Sequence, residues 1–508
     1  MYFIGLDLGT SGLKAGVVDG NGDIISDLYL DTHFSASHPG KAEQSIDEFF
    51  RGSVQSIAAV VQKAGIDPLE VGGIVCDGQM GGVIGIDKAF NSVTDLDMNL
   101  DMGSEKYNEY MHLKHGDLLS RVTCGSPLNG QKIIWWKEER PELYNHICKF
   151  VTLNGYVAGK LAGVTGEEAF IDYTLLAFSG IDDARKLAWS KDLCECLNID
   201  MNKLPAIVSP EKTIGGLGRD AALQCGLLEG TPIFAGVGDQ AAGFLGAGLI
   251  QPGFFIDVSG SSTLLCLCVD TCIPDVNNRT VMYMPSVKRG TYHAFTYING
   301  GGMSLNWFVD ELCSENDEGL QSKYEEITER ASQTPPGCGG LLFIPYLGGR
   351  QCPFDSHIRG GWIGLNWGHG KEYLFRSILE SIAYDCRLGY KNLKRIFPNL
   401  KVDEILITGG GSRNDLWNQI KADVMGIEYI RVGTYEYNLR GCGIIGAYGS
   451  GVYDSIDSAV TAMKRTVREK RYSPVMENHR RYSHYFNIYE GMFRNNLQKT
   501  FHLLSEAS

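Results

Sequence analysis

The chain opens with short apolar runs broken by glycine. Residues 2–6 and 13–18 are strand-like and are separated by Gly9-Thr10-Ser11-Gly12. Asp19-Gly20-Asn21-Gly22-Asp23 then turns the chain into a third strand-like run at 24–28. A second unit of this kind recurs at 254–258, Ser259-Gly260-Ser261-Ser262 and 263–269. Elsewhere the apolar spacing lengthens to the helical period. It does so over 46–64, 132–139 and 373–395, the last with Leu374, Ile378, Ile382 and Cys386 at helical spacing. A strand at 404–408 runs into Gly409-Gly410-Gly411-Ser412, and a helix is predicted over 415–425.

Written out, the two glycine-turn units are FIGLDLGTSGLKAGVV and FFIDVSGSSTLLCLCV. Each has an Asp near a strand end, a turn of small residues and an apolar return strand. Their likeness is weak, but they stand at either end of a domain-sized interval, which favours a duplicated two-lobe architecture. A chain of 508 residues is also too long for one ordinary core. The boundary is expected near 246–253, giving an N-terminal domain over 1–247 and a C-terminal domain over 248–508.

Composition narrows the function. With 44% hydrophobic residues, 21% charged residues and 63 glycines, the chain reads as a globular α/β protein. A formal charge of -14 argues against a broad nucleic-acid surface, while backbone N–H groups still allow a local phosphate site. The 14 cysteines form no CxxC pair or compact framework, so a reducing compartment is expected, and Cys266, Cys268 and Cys272 read as small buried hydrophobes. No stretch has the roughly 20 uninterrupted apolar residues of a membrane span, and MYFIGLDLGT has no basic segment of a secretory signal. The expected location is cytoplasmic. The basic residues Lys464, Arg465, Arg468, Lys470 and Arg471 read as a solvated helix end.

Phosphoryl transfer from ATP needs a phosphate cradle, a magnesium ion, an aligned hydroxyl and a base for its proton. Asp7 with Gly9-Thr10-Ser11-Gly12 puts a carboxylate beside a turn whose N–H and hydroxyl groups can approach phosphate oxygens. Ser259-Gly260-Ser261-Ser262 offers a matching turn from the other lobe. A lone turn of this kind is usually a hairpin, and no GxxxxGK[ST] loop is present. Gly409-Gly410-Gly411-Ser412, between a strand and a helix, suits the phosphate or the sugar-base end of a nucleotide. Asp239, in Gly236-Val237-Gly238-Asp239-Gln240, is the candidate base. Helix N-capping would account for it alone, but two phosphate-type turns on separate lobes favour a cleft-facing base.

The ordered set DLGTSGLK at 7–14, DGQMGG at 77–82, GVGDQAAG at 236–243, GSS at 260–262 and TGGGSRND at 408–415 resembles the FGGY carbohydrate kinases, most closely the xylulokinase-like branch. Residues 360–380 are similar to that family's second signature, with Tyr373 where a polar or acidic residue is usual. The resemblance spans residues 1 to 455 and implies two ribonuclease H-like lobes of the actin-like ATPase superfamily closing over ATP and a sugar. By motif position, Asp239 matches the catalytic base and Asp7 the carboxylate that helps to hold Mg²⁺ through water. Thr10 and Ser11 match the first phosphate turn and Gly260 and Ser261 the second, while Gly302, Gly411 and Asn414 match nucleotide contacts. Gln79 and Met80 fall in the segment lining the sugar pocket, and Asp101 falls in a further sugar-side motif.

Departures cluster around that pocket. The xylulokinase pattern Gln-Met-His-Gly is Gln79-Met80-Gly81-Gly82 here, so a sugar-recognising histidine is absent. The pattern Trp-x-Asp-x-Arg is Asn99-Leu100-Asp101-Met102-Gly103, without the aromatic residue and the arginine, and Gly348-Gly349-Arg350 lacks the usual glutamate. A site built to hydrogen-bond a hydroxyl discriminates strongly, so these changes point to altered substrate choice. Trp135, Trp136 and Trp362 read as core, with a role in shaping the sugar site as the alternative. The expected activity is phosphorylation of a terminal hydroxyl of a ketose, D-xylulose first, then another pentulose, glycerol or another polyol, or a sugar acid. An actin- or chaperone-like ATPase and a sugar-responsive regulator without kinase activity are the readings from other classes. A homodimer is the family-level expectation.

Overall fold

The structure, a computed structural model, describes residues 1–33, 42–98, 101–125, 128–313, 320–433, 436–464, 468–494 and 497–507. In the first lobe β1 (Tyr2–Leu8), β2 (Gly12–Asp19) and β3 (Ile24–Asp31) form an antiparallel meander. A two-residue strand, β4 (Glu43–Gln44), leads into α1 (Ile46–Ala64), and β5 (Val71–Gly78) returns parallel to β1. Then come α2 (Glu105–Val122), α3 (Gly130–Glu139), β6 (Thr213–Gly216), β7 (Pro232–Phe234), β8 (Val237–Gly238) and α4 (Asp239–Gly246). The seven-stranded sheet runs β6-β7-β5-β1-β2-β3, with β8 beside β5.

The second lobe repeats the plan with β9 (Phe255–Ser259), β10 (Thr263–Val269), β11 (Met282–Pro285), β12 (Tyr292–Ile298), α5 (Gly301–Leu312) and α6 (Lys371–Ile396). They are followed by β13 (Glu404–Thr408), α7 (Asp415–Met425), β14 (Glu428–Val432), α8 (Tyr437–Gly449) and β15 (Arg468–Tyr472). Its sheet runs β11-β12-β10-β9-β13-β14-β15. The orders β3-β2-β1-β5-β7 and β12-β10-β9-β13-β14 therefore correspond, each with an antiparallel trio followed by two parallel strands. Two lobes of one plan are the outcome expected from the repeated glycine-turn units, and their ribonuclease H-like form is the one that the family resemblance implies.

Local chemistry explains the elements that frame the cleft. Helix α1 buries Ile46, Phe49, Val54, Ile57, Val60 and Val61 along one stripe. Asp47 and Glu48 occupy its first turn, and Gly65 ends it in the left-handed conformation. Helices α4 and α8 meet backbone to backbone. A Cβ on Gly246 would lie 2.0 Å from the Tyr437 carbonyl oxygen, and one on Gly441 would lie 2.1 Å from that of Ala242. Each helix leans on the opposite lobe: Gly5 of β1 faces Cys442 of α8, and Phe244 of α4 packs on His293 of β12 at 4.6 Å between ring centroids.

Among the described residues of the basic run, only the first stands at a helix end. Lys464 closes a helix over Ile456–Met463, Arg465 lies outside the described residues, and Arg468, Lys470 and Arg471 belong to β15, antiparallel to β14. Distant acids hold it there: Arg468 pairs with Glu404, Lys470 with Asp415 and Arg471 with Glu428. Cys266, Cys268 and Cys272 are buried, and among the described residues no helix is long and apolar enough to cross a membrane. Trp135, Trp136 and Trp362 pack in or against hydrophobic clusters.

Candidate active site

Three carboxylates converge where the first-lobe strands end. Parallel pairing of β1 with β5 sets Asp7 beside Asp77, and β8 pairs Val237 with Asp77, bringing Asp239 to the same edge. Asp77 is fully buried and accepts the Cys442 Sγ–H at 3.2 Å. Burial drives its carboxyl well above the usual range, and the charges of Asp7 and Asp239 push the same way. Asp7 is raised by burial, against the opposing pull of its hydrogen bond with Asp77 and the charge of Lys14. Asp239 is pushed up to about 7 by burial and then by Asp7, offset in part by the Gln240 N–H at 2.6 Å. A carboxylate near neutrality at a cleft is suited to taking up a proton.

Asp239 is the first residue of α4, and Gly238, not Asp239, is the N-cap. The strand end is braced from behind: Gly238 N–H donates to Thr174 Oγ1 at 2.9 Å, and Thr174 and Asn154 both donate to buried Asp172. Gly236 has φ +85°, and a Cβ there would lie 2.1 Å from the Cys76 carbonyl oxygen, so the approach of the strand end to β5 requires glycine.

The two small-residue turns are built alike and supported differently. In the first, Gly9 N–H donates to the Gly12 carbonyl at 3.0 Å. In the second, Gly260 N–H donates to the Ser262 carbonyl at 2.9 Å, and the start of α5 docks on it through Gly302 N–H to Gly260 O at 3.1 Å. Asp257, the counterpart of Asp7, is neutralised: Lys421 Nζ of α7 donates to its two oxygens at 2.9 and 2.8 Å, and both side chains are fully buried. Asn414 caps α7 by accepting the Trp417 N–H at 3.0 Å and donates to the Tyr324 hydroxyl at 3.2 Å.

Asp7 and Asp239 line one cavity of about 590 Å³ with Lys14, Gln240, Thr408 and Glu436. Lys14 Nζ and Glu436 are paired at 2.8 Å across the lobes. Gly260, Ser261, Gly302, Gly411 and Asn414 line a second cavity, of about 1110 Å³, and Gly410 and Arg413 border both. Thr10, Ser11, Gln79, Met80 and Asp101 line neither. Gln79 is held between Thr10 and Gln44, and a Cβ on Gly238 would lie 2.4 Å from Met80 Sδ, so Met80 packs directly behind Asp239. Asp101 accepts backbone N–H groups of Ala42 at 2.9 Å and Gly103 at 2.8 Å, and buried Lys132 bridges Asp97 to the Asp101 carbonyl. Asn99 and Leu100 lie outside the described residues.

Asp77, Lys14, Gln44 and Lys421 carry no role by motif position. Asp77 and Lys14 stand inside quoted motifs, but only strand pairing shows what they face. Gln44 and Lys421 sit in stretches that carry no signal.

The chain is similar over nearly its whole length to known sugar kinases. Xylulose kinase of Bacillus subtilis (strain 168) is 26% identical over 97% of this chain and 96% of its own length. Gluconokinase of the same strain is 26% identical over 97% of this chain and 96% of its own. Ligand-bound xylulose kinase from Lactobacillus acidophilus superposes with a TM-score of 0.88 at 23% identity over 99% of both chains, and gluconate kinase from that species with 0.87 at 23% over 99% of both. The N-terminal domain pattern of the FGGY family of carbohydrate kinases matches residues 2–246, and its C-terminal domain pattern matches residues 258–450. Matched in order along both lobes, with the carboxylates at the strand ends between them, the chain belongs to the FGGY family of carbohydrate kinases.

Proposed function

We propose that this kinase transfers the γ-phosphoryl group of ATP to a terminal hydroxyl of a ketose, with D-xylulose the first candidate. Asp239 carries the reading: it opens a helix at the cleft, and its carboxyl is pushed up to about 7 by burial and by Asp7. It takes the hydroxyl proton as the hydroxyl oxygen attacks phosphorus. Residues 1–247 supply the base and the sugar side, with Gln79, Met80 and Asp101; residues 248–508 hold the nucleotide through Gly260, Ser261, Gly302, Gly411 and Asn414. Thr10 and Ser11 approach the transferred phosphoryl group from the first lobe.

Among the described residues no cluster of three or more His, Cys, Asp or Glu is arranged to hold a metal directly. The carboxylate of Asp7, which lines the cleft, would instead help to hold, through water, a Mg²⁺ ion carried on the phosphates. Mg²⁺ supplies charge neutralisation on the phosphate oxygens when bound. Lobe closure excludes water that would hydrolyse ATP.

A sugar acid such as gluconate is the second reading. It is favoured by gluconokinase relatives as similar as the xylulose kinases, and by the missing pocket histidine and arginine. A cytoplasmic location and a homodimer complete the reading. The test is ATP consumption with Mg²⁺ against pentuloses, hexuloses, polyols and sugar acids, with product mass recorded. Strong stimulation by one ketose supports the first reading and stimulation by a sugar acid the second. ATP binding with no stimulated turnover by any of them rejects both.

A further inference from the structure

The first phosphate turn and the 77–82 segment are joined by a closed ring of three hydrogen bonds. Thr10 Oγ1 donates to Gln79 Oε1 at 3.0 Å, Gln79 Nε2 donates to Gln44 Oε1 at 3.2 Å, and Gln44 Nε2 donates to the Thr10 carbonyl at 2.8 Å. Both glutamines are buried, at 1% exposure for Gln44 and 4% for Gln79. In this ring every amide end has a partner, and each residue both gives and receives. Thr32 reinforces it, donating from Oγ1 to the Thr10 carbonyl at 3.3 Å and from its N–H to the Ser11 carbonyl at 3.2 Å.

Gln44 belongs to β4, whose surroundings are as specific as the ring. It pairs with Leu96, Glu43 pairs with Asp97, and Ala42 N–H holds the Asp101 carboxylate at 2.9 Å. Gln44 thus touches the Thr10 turn and Gln79, and Ala42, two residues before it, touches Asp101. Gln79 gives one N–H and one oxygen lone pair to the ring and is thereby tied to the phosphate turn.

We propose that Gln44 is a positioning residue that couples the sugar-side segment 77–82 to the phosphate turn 9–12, setting Thr10 for transfer when the acceptor is seated. This rests on the kinase reading above and adds to it a residue that touches neither substrate. Buried rings of this kind are rigid when complete, and removing one member leaves the others with unmet donors and acceptors.

The test uses the full chain with Gln44→Ala and with Gln44→Glu. The glutamate is the same size and accepts from Gln79, but it cannot donate to the Thr10 carbonyl. Hydrogen exchange needs no sugar: in both variants peptides spanning 9–12 and 77–82 are expected to exchange about tenfold faster, with 255–269 unchanged. Acceleration confined to residues 42–46, or spread evenly over the chain, overturns the proposal. If Gln44→Ala fails to fold, Gln44→Glu carries the measurement. In turnover with the acceptor that the wild type phosphorylates, kcat is expected to fall about tenfold while the acceptor KM moves less than about threefold. Unchanged kcat overturns the coupling. A wild type that phosphorylates no acceptor defeats the kinase reading, whereas the exchange result still decides whether Gln44 joins the two segments.

Discussion

Asp7 and Asp77 stand carboxyl to carboxyl on neighbouring parallel strands, with Asp77 sealed from solvent and Asp7 facing the cleft. Both are held above the ordinary carboxylate range, so the folded protein binds more protons than the unfolded chain from about pH 4 upward, until both carboxyls have ionised. Stability therefore declines as pH rises through that window and returns as pH falls. Asp77→Asn keeps a hydrogen-bond donor toward Asp7 and removes the buried charge. It is expected to stabilise the fold by about 1–2 kcal/mol at pH 8, a gain that fades toward pH 4. Urea midpoints from pH 4 to 8 check this, and a variant less stable than wild type at pH 8 would contradict it.

Asp239→Asn should reduce sugar phosphorylation by about 10²–10⁴-fold while ATP binding persists. In the wild type the acid limb of kcat/KM should bend near the raised value of about 7, falling about tenfold per pH unit below it. Steady-state rates from pH 5.5 to 9, with ATP affinity measured alongside, test both statements. Substantial turnover by the asparagine variant removes Asp239 from the role of base.

Lys421→Met leaves Asp257 charged, buried and without its cation beneath the turn at 259–262. The expected loss is about 3–5 kcal/mol. Adding Asp257→Asn should recover part of it, since the stranded charge is then gone. Chemical denaturation of the single and double variants measures the difference, and an unaltered midpoint in the single variant counts against the pair.

Gly302→Ala tests how closely α5 is docked on the second turn. The new Cβ would lie 2.3 Å from the Gly260 carbonyl oxygen, a backbone atom with no rotamer to change. The turn must shift, and a displacement of about 1 Å can cost about 10²-fold in kcat/KM. Gly491→Ala is the control, because a Cβ there meets no atom within 4 Å and the residue lines neither cavity. Equal losses in the two variants would argue that the docking contact is unimportant.

Much of the fold is legible in the sequence where the physics is local. The helix at 46–64 has a one-sided apolar stripe and a terminal glycine, and the strand at 404–408 and helix at 415–425 are separated by three glycines and an asparagine cap. Asp7 and Asp239 are legible because small-residue turns and strand ends mark them. The Asp7–Asp77 pair is not, since it depends on parallel register between strands that α1 separates. Lys421 reaches Asp257 across 164 residues, and nothing near either residue announces the other. The basic strand β15 was expected as a helix end because its acidic partners, Glu404, Asp415 and Glu428, are remote in sequence.

The glycine contact between α4 and α8 has a mechanical consequence. Helices that touch through interlocked side chains must unseat them to turn, but a smooth backbone contact behaves as a bearing. Asp239 begins α4, close to that pivot. Were the lobes to rotate about this contact, displacement would grow with distance from it, so the outer walls would sweep furthest and Asp239 would move least. The carboxylate proposed as the base would then sit at the hub.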